Sequence, residues 1–153
     1  MNRITLPNSL MLGEVCKLLA EGRDVVLLTR GVSMRPFIEG DRDSVTLRAK
    51  SHVEPGDIAL AQIRPGVYVL HRVRAVEHGM VRLKGDGNLR GIEICPEKEV
   101  YGTVIEIIRP GDRRVDPSSG RMMFRWKIWK TLPCIVRRGV LWIYRKTRKN
   151  AII

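Results

Sequence analysis

Acidic residues stop at Asp116. Beyond it, ten of the chain's net twelve positive charges lie between Arg121 and Lys149, so the basic character belongs to one segment and the preceding part is close to neutral. Cysteine is scarce. Cys16, Cys95 and Cys134 are odd in number and far apart, which excludes a disulfide framework and a structural zinc site and fits a reducing compartment. Long apolar runs are missing as well. Leu10 to Ala20 is broken by Gly13, Glu14 and Lys17, too short and too polar for a signal peptide or a membrane span. There is no phosphate loop, and Gly85-Asp86-Gly87 is too short for a dinucleotide fingerprint, so no cofactor or metal motif is read. Neither a helix-turn-helix nor a zinc finger is recognisable, and Phe37 and Phe124 are the only phenylalanines. Nucleic acid therefore ranks last among the partners of this basic chain.

What is present fits one domain of 153 residues with a short helix in front and a tail behind. Asn8-Ser9 caps an apolar pattern at helical spacing that ends before Gly22, which predicts a helix over 9–21 within an N-terminal segment 1–23. From Asp24 to about Pro110 the chain alternates short β-branched runs with turn residues. The runs are 24–29, 45–47, 58–61, 68–73, 80–83 and 101–108; the turns are Pro55-Gly56-Asp57, Pro65-Gly66 and His78-Gly79. That texture predicts a mainly β, antiparallel domain. Residues 111–120 have loop composition. The tail 121–153 holds all three tryptophans and reads as two amphipathic helices hinged at Pro133.

Chemistry gathers around Gly31-Val32-Ser33-Met34-Arg35-Pro36. A serine between glycine and proline, directly after a buried strand, is a hydroxyl that can be exposed and still rigidly aimed. A nucleophilic serine needs a base, and three histidines are available. His52 lies in a polar linker and His78 in a hairpin turn; His71 sits within the apolar strand Tyr68-Val69-Leu70-His71-Arg72-Val73. Asp86, in Gly85-Asp86-Gly87-Asn88, is a carboxylate able to orient an imidazole.

Taken in order, Gly31-Val32-Ser33-Met34-Arg35-Pro36, Glu39-Gly40-Asp41, Pro55-Gly56-Asp57-Ile58, Leu70-His71-Arg72-Val73, Leu83-Lys84-Gly85-Asp86-Gly87-Asn88 and Val100-Tyr101-Gly102-Thr103-Val104 resemble the serine peptidase superfamily that unites LexA-like repressors with type I signal peptidases. The resemblance covers about residues 24–109. It implies a barrel-like β-domain in which Ser33 is the nucleophile, His71 the base (as in signal peptidases of the endoplasmic-reticulum type), and Asp86 the group that orients or stabilises His71. Backbone N–H groups around Gly31, Val32 and Met34 would hold the oxyanion, since Gly31 stands where many signal peptidases carry a serine. No lysine falls at the repressor-type base position, and Lys84 reads as structural.

The expected function is a serine endopeptidase that cleaves a peptide or a leader or precursor segment in trans, without a cofactor. A repressor-type Ala-Gly cleavage site and a domain to release are both missing from the sequence. The expected place is the cytoplasm, with residues 121–149 available to an anionic membrane surface at its inner face. The alternative for the tail is a helix packed on the β-domain. The alternative for the whole is a catalytically silent module of the same fold that binds an extended peptide by strand addition.

Overall fold

The computed structural model describes the backbone of residues 8–151 and the side chains of 9–147. Residues 1–7 and 152–153 of the expected terminal segments, and the side chains of Arg148 and Lys149, lie outside the described residues. The elements are α1 (Asn8–Ala20), β1 (Val25–Leu28), β2 (Ser44–Arg48), β3 (Ile58–Arg64), β4 (Val67–Glu77), β5 (Met80–Lys84), β6 (Glu93–Pro96), β7 (Val100–Arg109), β8 (Arg113–Val115), α2 (Gly120–Thr131) and α3 (Cys134–Ala151). A short 3₁₀ turn at Glu97–Glu99 leads into β7.

All the strands join one antiparallel sheet in the order β1-β2-β7-β3-β4-β5-β6, with β8 added to the end of β7. β3 is central, and its Ile58-Ala59-Leu60-Ala61 stretch is buried on both faces. Strand periodicity sends Ile58 and Leu60 into a large core with α1 and α2, and Ala59 and Ala61 into a smaller one with Val73, Val81 and Leu83. The sheet is open. β1 and β6 are four-residue strands with one partner each among the described residues, and the closing pair that a barrel requires is not formed. The mainly β expectation stands and the closed barrel does not.

Two strands lie outside the runs read from the sequence. β6 begins two residues after Gly91, and β8 sits inside the segment expected to be loop, where Ile107 pairs with Val115 and Arg109 with Arg113. The tail is helical with its break at Pro133, and its first helix belongs to the core. Ser119 caps α2, and Met122, Trp126 and Trp129, spaced four and three residues apart on one face, are buried against the sheet. α3 covers less. Ile135, Trp142 and Ile143 on it are exposed.

Candidate active site

β1 delivers the chain into a loop, residues 29–43, whose two ends are tied together. Asp43 O accepts from Thr29 N at 3.1 Å and from Thr29 Oγ1 at 2.7 Å, and Thr29 O accepts from Asp41 N at 2.7 Å. Inside it Arg35 and Glu39 form a fork-to-carboxylate pair at 2.8 and 2.7 Å, and the buried Asp43 carboxylate accepts from Glu39 N at 2.9 Å. A loop closed by so many internal bonds holds its contents still. Ser33 rides on it, half-buried, two residues after Gly31 with its positive φ of 81°.

The turn Gly85-Asp86-Gly87-Asn88 backs the Ser33 segment from behind. Gly87 N donates to Ser33 O at 2.8 Å. The approach is close enough that a Cβ on Gly85 would collide with the Ser33 carbonyl oxygen, and one on Gly87 would lie 2.6 Å from Val32 O. The glycines of that motif are there to let two stretches of backbone touch.

His71 is buried on β4, with Nδ1 3.0 Å from Glu93 Oε2 on β6. That bond fixes the ring and leaves Nε2 as the nitrogen that Glu93 does not engage. Nε2 has no hydrogen-bond partner among the described residues and is not among the buried unpaired atoms. Ser33 and His71 line one cleft of about 200 Å³, walled by apolar groups that include Leu27, Met34, Leu60 and Leu70. The two side chains are not hydrogen-bonded to each other, and the Ser33 hydroxyl takes no partner among the described residues.

Asp86, expected to orient or stabilise His71, makes no hydrogen bond with it. Its carboxylate lies 2.7 Å from Arg72 Nη2 and 3.2 Å from Arg72 Nε, with both side chains almost fully buried. The physical reason is strand alternation: His71 and Arg72 are neighbours on β4 and so project to opposite faces, and it is Arg72 that reaches the Asp86 carboxylate. Burial pushes the Asp86 carboxyl above its ordinary value while the Arg72 guanidinium pulls it down. Arg72 also donates to Gly56 O at 3.0 Å and lies between the rings of Phe37 and Trp126, 5.3 and 5.1 Å from their centroids. Trp129 Nε1 donates to Asp86 O at 2.8 Å, so α2 completes this buried pair. Glu93, the carboxylate that does meet His71, went unread because it lies on the short strand β6. The signal available was the alternation Ile92-Glu93-Ile94 after Gly91.

Of the expected backbone support, Gly31 and Met34 line the cleft and Val32 turns its side chain outward. The carbonyls of Val32 and Met34 accept from Arg35 N at 3.2 Å and from Phe37 N and Ile38 N at 3.0 Å, building the turn. The N–H groups of Ser33 and Met34 have no acceptor among the described residues, which leaves donors beside the hydroxyl for an incoming oxygen. The other histidines are elsewhere: exposed His52 meets Glu97 at 3.1 Å, and His78 occupies a hairpin turn at φ 51°. Lys84 is outside the cleft, and burial, helped by Arg137 and Arg74, lowers its ammonium pKa. Among the described residues no His/Cys/Asp/Glu group is arranged to hold a metal ion, and no helix is long and apolar enough to cross a membrane.

No protein-family model matches the chain, and no curated protein matches it.

Proposed function

We propose that this protein is a serine endopeptidase acting through Ser33 and His71, with Glu93 in the orienting role first assigned to Asp86. The observation that carries the reading is the shared cleft: a partner-free hydroxyl and an imidazole whose far nitrogen is already held by a carboxylate. The resemblance of residues 24–109 to the LexA and type I signal peptidase superfamily gives the same two residues the same roles.

In this reading Ser33 Oγ attacks the carbonyl carbon of a peptide bond as His71 Nε2 takes its proton. The oxyanion that forms is held by the free N–H groups of Ser33 and Met34. His71 returns the proton to the leaving amine, and water, activated by the same ring, frees Ser33 from its acyl group. The missing Ser33–His71 hydrogen bond closes when substrate fills the cleft, as such contacts often tighten only in the complex. β1 is an end strand and supplies Leu27 and Leu28 to the cleft, so an extended peptide can pair with its open edge and lay apolar side chains among Met34, Leu60 and Leu70.

The test is cleavage of a diverse peptide library, read by mass spectrometry, by the wild type, Ser33→Ala and His71→Ala. Each substitution is expected to lower kcat/KM by about a thousandfold or more with folding retained. Cleavage unchanged in either variant removes the reading.

A further inference from the structure

A second cleft, of about 420 Å³, opens between α2, the end of β7, β8 and the loop 29–43. Four guanidinium groups line it, those of Arg42, Arg109, Arg113 and Arg125, and none of its lining residues is acidic. They come from four separate elements, so no local sequence pattern gathers them. Among the described residues only Arg42 finds a neutralising carboxylate, the buried Asp43 at 2.8 Å. Arg109 gives one Nη2 bond to Phe37 O at 3.2 Å, and its Nε is buried without a partner. Arg113 and Arg125 are exposed, and their side chains hold no hydrogen bond or ion pair with the described residues.

Like charges drawn together around a concave surface repel one another, and a low-dielectric wall strengthens that repulsion. An anion with several oxygens reverses its sign. Guanidinium forks suit phosphate, which accepts from several donors at once and from different directions. The cleft is also larger than one phosphate, and Met122, Ile128 and Leu132 give it an apolar floor with Ile128 at its open side. We infer that this cleft binds a phosphate group carried on an apolar body, held by Arg109, Arg113 and Arg125. Two sources supply that chemistry: the headgroup of an anionic phospholipid and a soluble phosphate ester. The inference is independent of the peptidase reading, since no residue of the Ser33 cleft takes part.

The test uses the full chain with two probes: inorganic phosphate, and vesicles of phosphatidylcholine with or without phosphatidylglycerol. The wild type is compared with Arg113→Gln/Arg125→Gln and with Arg82→Gln/Arg90→Gln, which removes the same charge from exposed positions elsewhere. Because Arg113 and Arg125 are exposed and unpaired, folding survives their replacement. The first pair is expected to weaken binding by about tenfold or more and the second by less than about twofold. Binding of inorganic phosphate alone assigns a soluble ester, and binding of the phosphatidylglycerol vesicles alone or in addition assigns the lipid headgroup. Ser33→Ala binds as the wild type does. The inference is overturned if neither probe binds, if both double variants lose affinity equally, if Arg113→Gln/Arg125→Gln binds unchanged, or if vesicles bind equally well without phosphatidylglycerol.

Discussion

The His71 imidazole and the Glu93 carboxylate meet at 3.0 Å across two strands of one sheet, 22 positions apart along the chain. A base held from behind by a carboxylate keeps one tautomer and one orientation. Glu93→Gln keeps the shape and removes the charge, so kcat is expected to fall by about tenfold to a hundredfold with KM little changed. Glu93 is about a quarter exposed, so the melting temperature should move little. Steady-state kinetics beside thermal denaturation check both halves; a large loss of Tm would make Glu93 a structural residue.

Arg72 and Asp86 form the opposite case, a buried pair that builds the site without entering it. Removing one charge leaves the other uncompensated, so Asp86→Asn or Arg72→Met is expected to cost about 3–5 kcal/mol. Changing both together, as Arg72→Met with Asp86→Asn, should cost clearly less than the two single losses combined. Urea denaturation of the three variants measures this. Strict additivity would mean that the pair is not coupled.

Gly85 touches the back of the Ser33 segment, and any side chain there strikes the Ser33 carbonyl. Gly85→Ala is therefore expected to displace Ser33 and abolish its reactivity while costing about 1–3 kcal/mol of stability. Gly111→Ala, at a positive φ with nothing within 4 Å of the added carbon, serves as the comparison. Local strain remains there, but the Ser33 chemistry is intact. Acylation rate and urea midpoint, measured together, separate the two effects.

At high pH the fold is expected to weaken for reasons set by two acids that prefer to stay neutral. Burial, a hydrogen bond to Glu99 at 2.9 Å and the Glu99 charge push the Tyr101 hydroxyl up to about 12. Burial, then Glu99, pushes the Cys16 thiol up to about 11. Both groups lose their protons more readily in the unfolded chain, from ordinary values of 10.0 and 9.0, so the stability they contribute is whole below about pH 9 and drains away between pH 9 and 12. Urea midpoints across that range should fall, and Tyr101→Phe should flatten the part above pH 10. An unchanged slope in that variant would assign the loss to other groups.

Much of this architecture is readable from residue order. Alternation and turn residues locate the helix and the longer strands, and the isolated apolar context of His71 separates it from the other histidines. Its carboxylate partner is harder, because Asp86 advertises itself in a glycine-rich turn while Glu93 sits on a four-residue strand flanked by exposed isoleucines. Alternation along β4 separates the two: a carboxylate held by Arg72 lies on the face that His71 does not share. The tail leaves two readings open. The packed alternative holds for its first helix, where Met122, Trp126 and Trp129 recur at helical spacing and are buried beside Arg72, while Ile135, Trp142 and Ile143 on α3 stay exposed. The open sheet depends on pairings between distant strands, which no local pattern carries.

In the proposed function Ser33 is a nucleophile activated by His71. The direct measurement is intact-mass and peptide-mapping analysis after exposure to a fluorophosphonate. One adduct on Ser33 is expected in the wild type, slowed by about a hundredfold or more in His71→Ala and absent in Ser33→Ala. No adduct in the wild type, or the same labelling rate with and without the His71 imidazole, would contradict it.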